Sequence, residues 1–64
     1  MKISYDPKAD ALYIALSKEP VAKTHEINSI AIADINKRNK LVGIELLFAK
    51  QNYPALFKQL QAKN

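Results

Sequence analysis

Large apolar side chains alternate with polar ones from the first residue onward. Met1, Ile3 and Tyr5 are separated by Lys2 and Ser4, and Leu12, Ile14 and Leu16 alternate with Ala11, Tyr13 and Ala15. A period of two belongs to a strand that turns one side to a core. Between the two runs stands Asp6-Pro7-Lys8-Ala9-Asp10, a stretch of turn formers, so residues 1–17 predict a β-hairpin. Pro20 lacks a backbone donor and biases Glu19 away from helical geometry, which makes residues 18–20 a turn. Residues 21–27 alternate weakly, with Lys23 and His25 on one side and Thr24 and Glu26 on the other, the pattern of a solvent-facing edge strand.

Asn28-Ser29 breaks that run, and residues 30–35 follow as an Ile and Ala stretch that is apolar on both sides until Asp34. It reads as a buried central strand. Asn39 closes the next turn at a position that wants a left-handed residue, and Asn is the best choice after Gly. Residues 40–47 return as a strand, with Gly43 in its middle, where a glycine marks a bulge or the close approach of another backbone. From Asn52 the period becomes helical: Asn52 can cap, Pro54 fits a first turn, and Tyr53, Leu56, Phe57 and Leu60 form one stripe. About ten helical residues are not stable alone in water, so the stripe must dock on the sheet or on another chain. The predicted fold is α+β: residues 1–64 as one domain, with an antiparallel β-meander of four to five strands over 1–47 and one C-terminal α-helix over 52–62 packed on it.

Size sharpens this picture. A domain of 64 residues buries only about 60% of the surface its unfolded chain exposes, and disulfides, a metal or a partner chain usually make up the difference. The chain has no Cys and one His, which removes disulfides, thiolate metal sites and His-rich sites. Association with a second copy is therefore the expected helper, with a homodimer favoured. No cofactor is expected. Hydrophobic residues make up 48% and charged ones 25%, a balance that argues for a folded chain and against disorder. No apolar stretch comes near the roughly 20 residues that cross a bilayer. The start lacks the apolar segment of a secretory signal, so no membrane association and a cytoplasmic location are expected.

The net charge is +4, and it is unevenly placed. Seven cations against six acids through Glu45 leave +1, whereas Lys50, Lys58 and Lys63 stand with no acid after it. Nine of the ten cations are Lys, which suits a solvated surface better than the bidentate reading of phosphates and bases that Arg performs.

Chemistry is sparse. Asp6 and Asp10 flank a turn and with Glu45 are the carboxylates that might converge on a cation, but Asx-turn bonds explain both Asp residues, and a calcium loop needs 6 to 8 oxygen ligands. His25 as a general base lacks a visible activated partner, and an edge-strand histidine is the plainer reading. Tyr5 and Tyr13, on adjacent strands, read as half-buried packing residues; as stacking platforms they would need a basic groove around them. No catalytic residue is assigned and the chain is not expected to be an enzyme. The candidate partner interface consists of Tyr53, Leu56, Phe57 and Leu60 on the helix and Lys23 and His25 on the edge strand. An alternative reading is nucleic-acid binding through Lys37, Arg38, Lys40, Lys50 and Lys58.

Three blocks carry a family resemblance: Met1-Lys2-Ile3-Ser4-Tyr5-Asp6-Pro7, Ala9-Asp10-Ala11-Leu12-Tyr13-Ile14 and Leu41-Val42-Gly43-Ile44-Glu45. Together they resemble the YuzE-like family of small prokaryotic proteins of unknown function, also called domain of unknown function 2283, over residues 1–49. The resemblance implies a compact antiparallel sheet with a C-terminal helix, no established activity, and an antitoxin-like partnership with a neighbouring small protein as one thinkable role. This chain departs from that pattern with Asn39 where Gly is usual and with Lys37-Arg38 where acids are common.

Overall fold

The hairpin expected at the start forms as β1, Lys2–Asp6, and β2, Ala11–Ala15, which pair antiparallel with Ile3 opposite Ile14 and Tyr5 opposite Leu12. The computed structural model describes residues 1–62, and side chains through Leu60. Three further strands follow: β3, Lys23–Asn28; β4, Ala31–Ile35; and β5, Leu41–Leu47. β3, β4 and β5 make a continuous meander, and the hairpin joins it through β2, giving the order β1-β2-β5-β4-β3. β5 is thus the middle strand, β4 lies inside the sheet, and β1 and β3 form its two edges.

The long step from β2 to β3 crosses the end of the sheet. The Val42 carbonyl accepts the N–H groups of Leu16 at 2.9 Å and Ser17 at 3.2 Å, and the Ala22 N–H reaches the Ile35 carbonyl at 2.8 Å. Turn chemistry is local. Asp6 Oδ1 accepts the Lys8 N–H at 3.0 Å, Asn28 Oδ1 accepts the Ile30 N–H at 2.9 Å, and Asn39 takes the left-handed φ of 65° that the sequence led us to expect.

Strand alternation sorts the side chains onto two sides. Ile3, Tyr5, Leu12, Ile14, Ile44, Leu46, Ala31 and Ala33 share one, as their cross-strand partners show. Across it lies the C-terminal segment, where the expected single helix over 52–62 is two: α1, Ala49–Asn52, and α2, Pro54–Ala62. The break is at Tyr53, with φ −133° and ψ 52°, because the ring of Pro54 disfavours helical geometry in the residue before it. Asn52 is accordingly not a cap but the last residue of α1, and its Nδ2 donates to the Phe48 carbonyl at 3.1 Å. α2 docks on its own sheet, with Phe57 edge-on to Tyr5 at 4.7 Å between ring centroids. Among the described residues, Leu12 beneath this layer is the one large side chain with no exposure at all.

Candidate functional site

Among the described residues the sheet leaves unpaired the outer edges of β1 and β3, and the helices do not cover its opposite side. Every residue of β3 is exposed, and among the described residues β4 is the one strand beside it. His25 pairs with Ala33 and Lys23 with Ile35. The ladder then slips, from Glu26 opposite Ile32 to Asn28 opposite Ala31, so Ile27 is an extra residue with no partner in β4 and is 57% exposed. Val21, just before the strand, is 48% exposed.

Beside Val21 a groove of about 260 Å³ is lined by Pro20, Val21 and Ala22 on one side and by Asn36, Lys37 and Arg38 on the other, with Glu19 at its margin. Asn36 gives this corner its shape. It is 3% exposed; its Oδ1 accepts the N–H groups of Arg38 and Lys40, each at 2.9 Å, and its Nδ2 donates to Glu19 Oε1 at 2.9 Å. Arg38 also donates to Glu19. One buried amide therefore fixes both the β4–β5 turn and the crossing from β2 to β3, a role that sequence reading missed because Asn36 looks like any turn residue.

On the side away from the helices, Tyr13 Oη donates to Asp34 Oδ2 at 2.8 Å and Thr24 Oγ1 to Asp34 Oδ1 at 3.1 Å. Glu45 stands directly opposite Tyr13. Hydrogen bonding to Asp34 first, then removal from water, then the negative charges of Asp34 and Glu45 hold the Tyr13 phenol above its ordinary 10.0. The Tyr13 ring reaches Asp34 by lying across Gly43, where a Cβ would come within 2.0 Å of the hydroxyl and 2.5 Å of Cζ. The lone glycine thus makes room for a side chain, the Tyr13 ring, and not for the bulge or second backbone that its place in the strand suggested. Gly43→Ala is expected to push the ring aside, break the bond to Asp34 and cost about 1–2 kcal/mol in urea unfolding. In a Tyr13→Ala background the same change is expected to cost little; an equal cost in both backgrounds would refute the steric account.

Asp10 binds differently from the local Asx turn expected of it. Its Oδ1 accepts the Tyr5 hydroxyl at 2.7 Å and the Lys50 N–H at 3.2 Å, while its carbonyl accepts the Ala49 N–H at 2.9 Å. Removal from water, followed by the bond to Asp10 and the charges of Asp10 and Asp6, raises the Tyr5 phenol as well. Both phenols keep their protons in the folded chain at a pH where the unfolded chain releases them, so the folded state then binds more protons and stability falls as pH rises past about 10. The urea midpoint is expected to drop between about pH 9 and 11, with a smaller drop in the Tyr5→Phe, Tyr13→Phe double variant; identical drops would show that the tyrosines play no part.

The remaining candidates are dispersed. Tyr53 donates to the Ile30 carbonyl at 3.0 Å, Lys50 Nζ sits 5.9 Å from the Phe57 ring centre, and Leu56 and Leu60 line a groove of about 270 Å³ with Met1 and Ile3. The helix stripe is therefore turned toward its own sheet. Tyr5 and Tyr13 point to opposite sides, so they form no joint stacking platform. His25 and Glu45 likewise lie on opposite sides, and Asp10 is taken up by Tyr5 and Lys50. Lys37, Arg38 and Lys40 stand at the start of β5 and Lys50 just past its end, roughly 20 Å away by the rise of a seven-residue strand. Lys58 is exposed on α2, and Lys63 lies outside the described residues.

A family model described as "Protein of unknown function (DUF2283)" matches residues 2–50. The chain belongs to this family. The match runs from the first residue of β1 to Lys50, so it takes in the complete five-stranded sheet and the first two residues of α1; α2 lies beyond it. No curated protein and no solved structure matches the chain. Among the described residues no helix is long and apolar enough to cross a membrane.

Proposed function

We propose that this DUF2283 chain is a non-catalytic interaction module whose working part is the β3 edge, where a partner adds an extended strand to the sheet. The observation that supports it is the edge itself: six exposed residues, Lys23–Asn28, in a strand paired on one side only. Such a strand presents a row of N–H and C=O groups that another extended backbone satisfies, while side chains such as Lys23 and His25 select among partners. The dispersal of Asp10, His25 and Glu45 fits a role without catalysis. Within this reading, an antitoxin-like role is the narrower form, with the added strand coming from a small neighbouring protein. The nucleic-acid alternative draws less support, since the cations stand at opposite ends of β5 and Arg38 is committed to Glu19.

Peptides selected on the immobilised chain from a random library are expected to shift the amide signals of β3 and β4 in an NMR titration. Successive residues of a strand aim their N–H groups in opposite directions, so either Thr24 or His25 points its N–H outward. Proline at that position is expected to weaken the selected peptide at least tenfold, about 1.4 kcal/mol, without unfolding the chain. Shifts confined to α2 or to the Tyr13 side would overturn the proposal.

A further inference from the structure

We infer that the β3 edge takes up the β3 of a second copy, antiparallel about a two-fold axis at Thr24, so that two five-stranded sheets become one of ten strands. This rests on the reading of that edge as a strand acceptor and names its partner. Three observations lead to it. First, Val21, two residues before β3, and Ile27, next to its last residue, are exposed and apolar, and Ile27 has no partner in β4. Second, the groove of about 260 Å³ lined by Pro20, Val21, Ala22, Asn36, Lys37 and Arg38 adjoins the Val21 end. Third, Leu12 is the one large side chain fully buried among the described residues, so the chain gains from any further apolar burial.

The register follows from symmetry. A two-fold axis normal to a sheet sets one residue opposite its own copy and exchanges the ends of the strand. Pairing each Val21 with Ile27 of the second copy requires the axis at Thr24, midway between them, and it carries each Ile27 to the other copy's groove. Thr24 then faces Thr24, a pair that sheets accept, Lys23 faces His25, and Ala22 faces Glu26. An axis at Lys23 or Glu26 instead opposes like charges, and one at His25 leaves Val21 without an apolar partner. The paired segment is short, and dissociation in the micromolar range, about 10 μM, is expected.

The chain has no cysteine, so single cysteines report on the register without interference. Directly opposite residues of an antiparallel pair stand about 4.5–5.5 Å apart between Cα atoms, inside the span a disulfide bridges. In this register Thr24→Cys is expected to cross-link at least tenfold faster than His25→Cys or Glu26→Cys, whose copies are offset along the strand. Val21→Asp and Ile27→Asp are each expected to raise the dissociation constant at least tenfold in sedimentation equilibrium, with the urea midpoint of the monomer unchanged. Equal cross-linking at the three positions, fastest cross-linking at His25, or a monomer at concentrations of several hundred micromolar would overturn the inference. A monomer that still binds a selected peptide along β3 overturns this inference alone; a monomer that binds none overturns the edge reading with it.

Discussion

Leu12→Ala is expected to lower the unfolding free energy by about 3 kcal/mol, the largest loss from any single truncation in the sheet. Leu12 has no exposed surface, and it sits in β2 between Tyr5 of β1 and Leu46 of β5. Both neighbours belong to hydrogen-bonded strands, so neither can move inward to fill the space left by the missing methyl groups. The loss then contains the transfer term and a cavity term together. Whole domains are stable by only about 5–15 kcal/mol, and a 64-residue chain stands near the low end, so this variant is expected to be substantially unfolded at 37 °C. Urea unfolding measures it, with an unchanged slope showing that the native state is otherwise the same. A loss below about 1 kcal/mol would mean that the helix layer collapses onto the gap and that the core is looser than the burial of Leu12 implies.

Asp10→Ala is expected to cost about 2–3 kcal/mol, although Asp10 lies in a turn and belongs to no apolar cluster. Two effects combine. The side chain accepts bonds from Tyr5 and from the Lys50 backbone, tying the hairpin turn to β1 and to α1. The backbone also holds φ at 51°, a left-handed conformation in which Asp is tolerated and Ala is strained. The two are separable. Asp10→Gly keeps the backbone and loses the bonds, Asp10→Asn keeps both the backbone tolerance and an acceptor oxygen, and the expected order of stability is Asp, Asn, Gly, Ala. Tyr5→Phe should abolish part of the Asp10→Ala penalty in a double-mutant cycle, since the two changes remove the same bond. If Gly were as stable as the parent, the side-chain bonds would be shown to contribute nothing.

The strands were legible because each carries its own periodicity. Ile3 and Tyr5, then Leu12 and Ile14, mark the same side of a hairpin without reference to anything else, and the turn at Asn39 announces its backbone conformation through the residue itself. The run over residues 21–27 reads as a solvent-facing edge because it lacks an apolar stripe, a local property too; the edge strand forms two residues later at its start, as Lys23–Asn28. The helix boundary was harder. Asn52 before a tyrosine and a proline looks like a cap, but the constraint that Pro54 places on Tyr53 moves the break by one residue and leaves a separate turn before it.

The polar side chains that organise the molecule were not legible. Asp34 interrupts an apolar run, Asn36 opens a turn and Asp10 closes one, and each looks adequately explained by its neighbours in sequence. Their partners lie elsewhere: Tyr13 for Asp34, Glu19 for Asn36, and the Lys50 backbone for Asp10. Periodicity reports which side of a strand faces a core, but it carries no information about which distant donor meets which acceptor.

By itself, then, the sequence determined an antiparallel sheet with an amphipathic C-terminal segment and an exposed third strand, because propensity, turn chemistry and hydrophobic period all act over a few residues. Only the tertiary structure decided that β2 pairs with β5, that Gly43 makes room for Tyr13, and that the β3 ladder slips to leave Ile27 without a partner in β4. Those outcomes depend on strand order and on contacts between residues far apart in the chain, which are fixed by the packing of the whole sheet and by no short stretch of it.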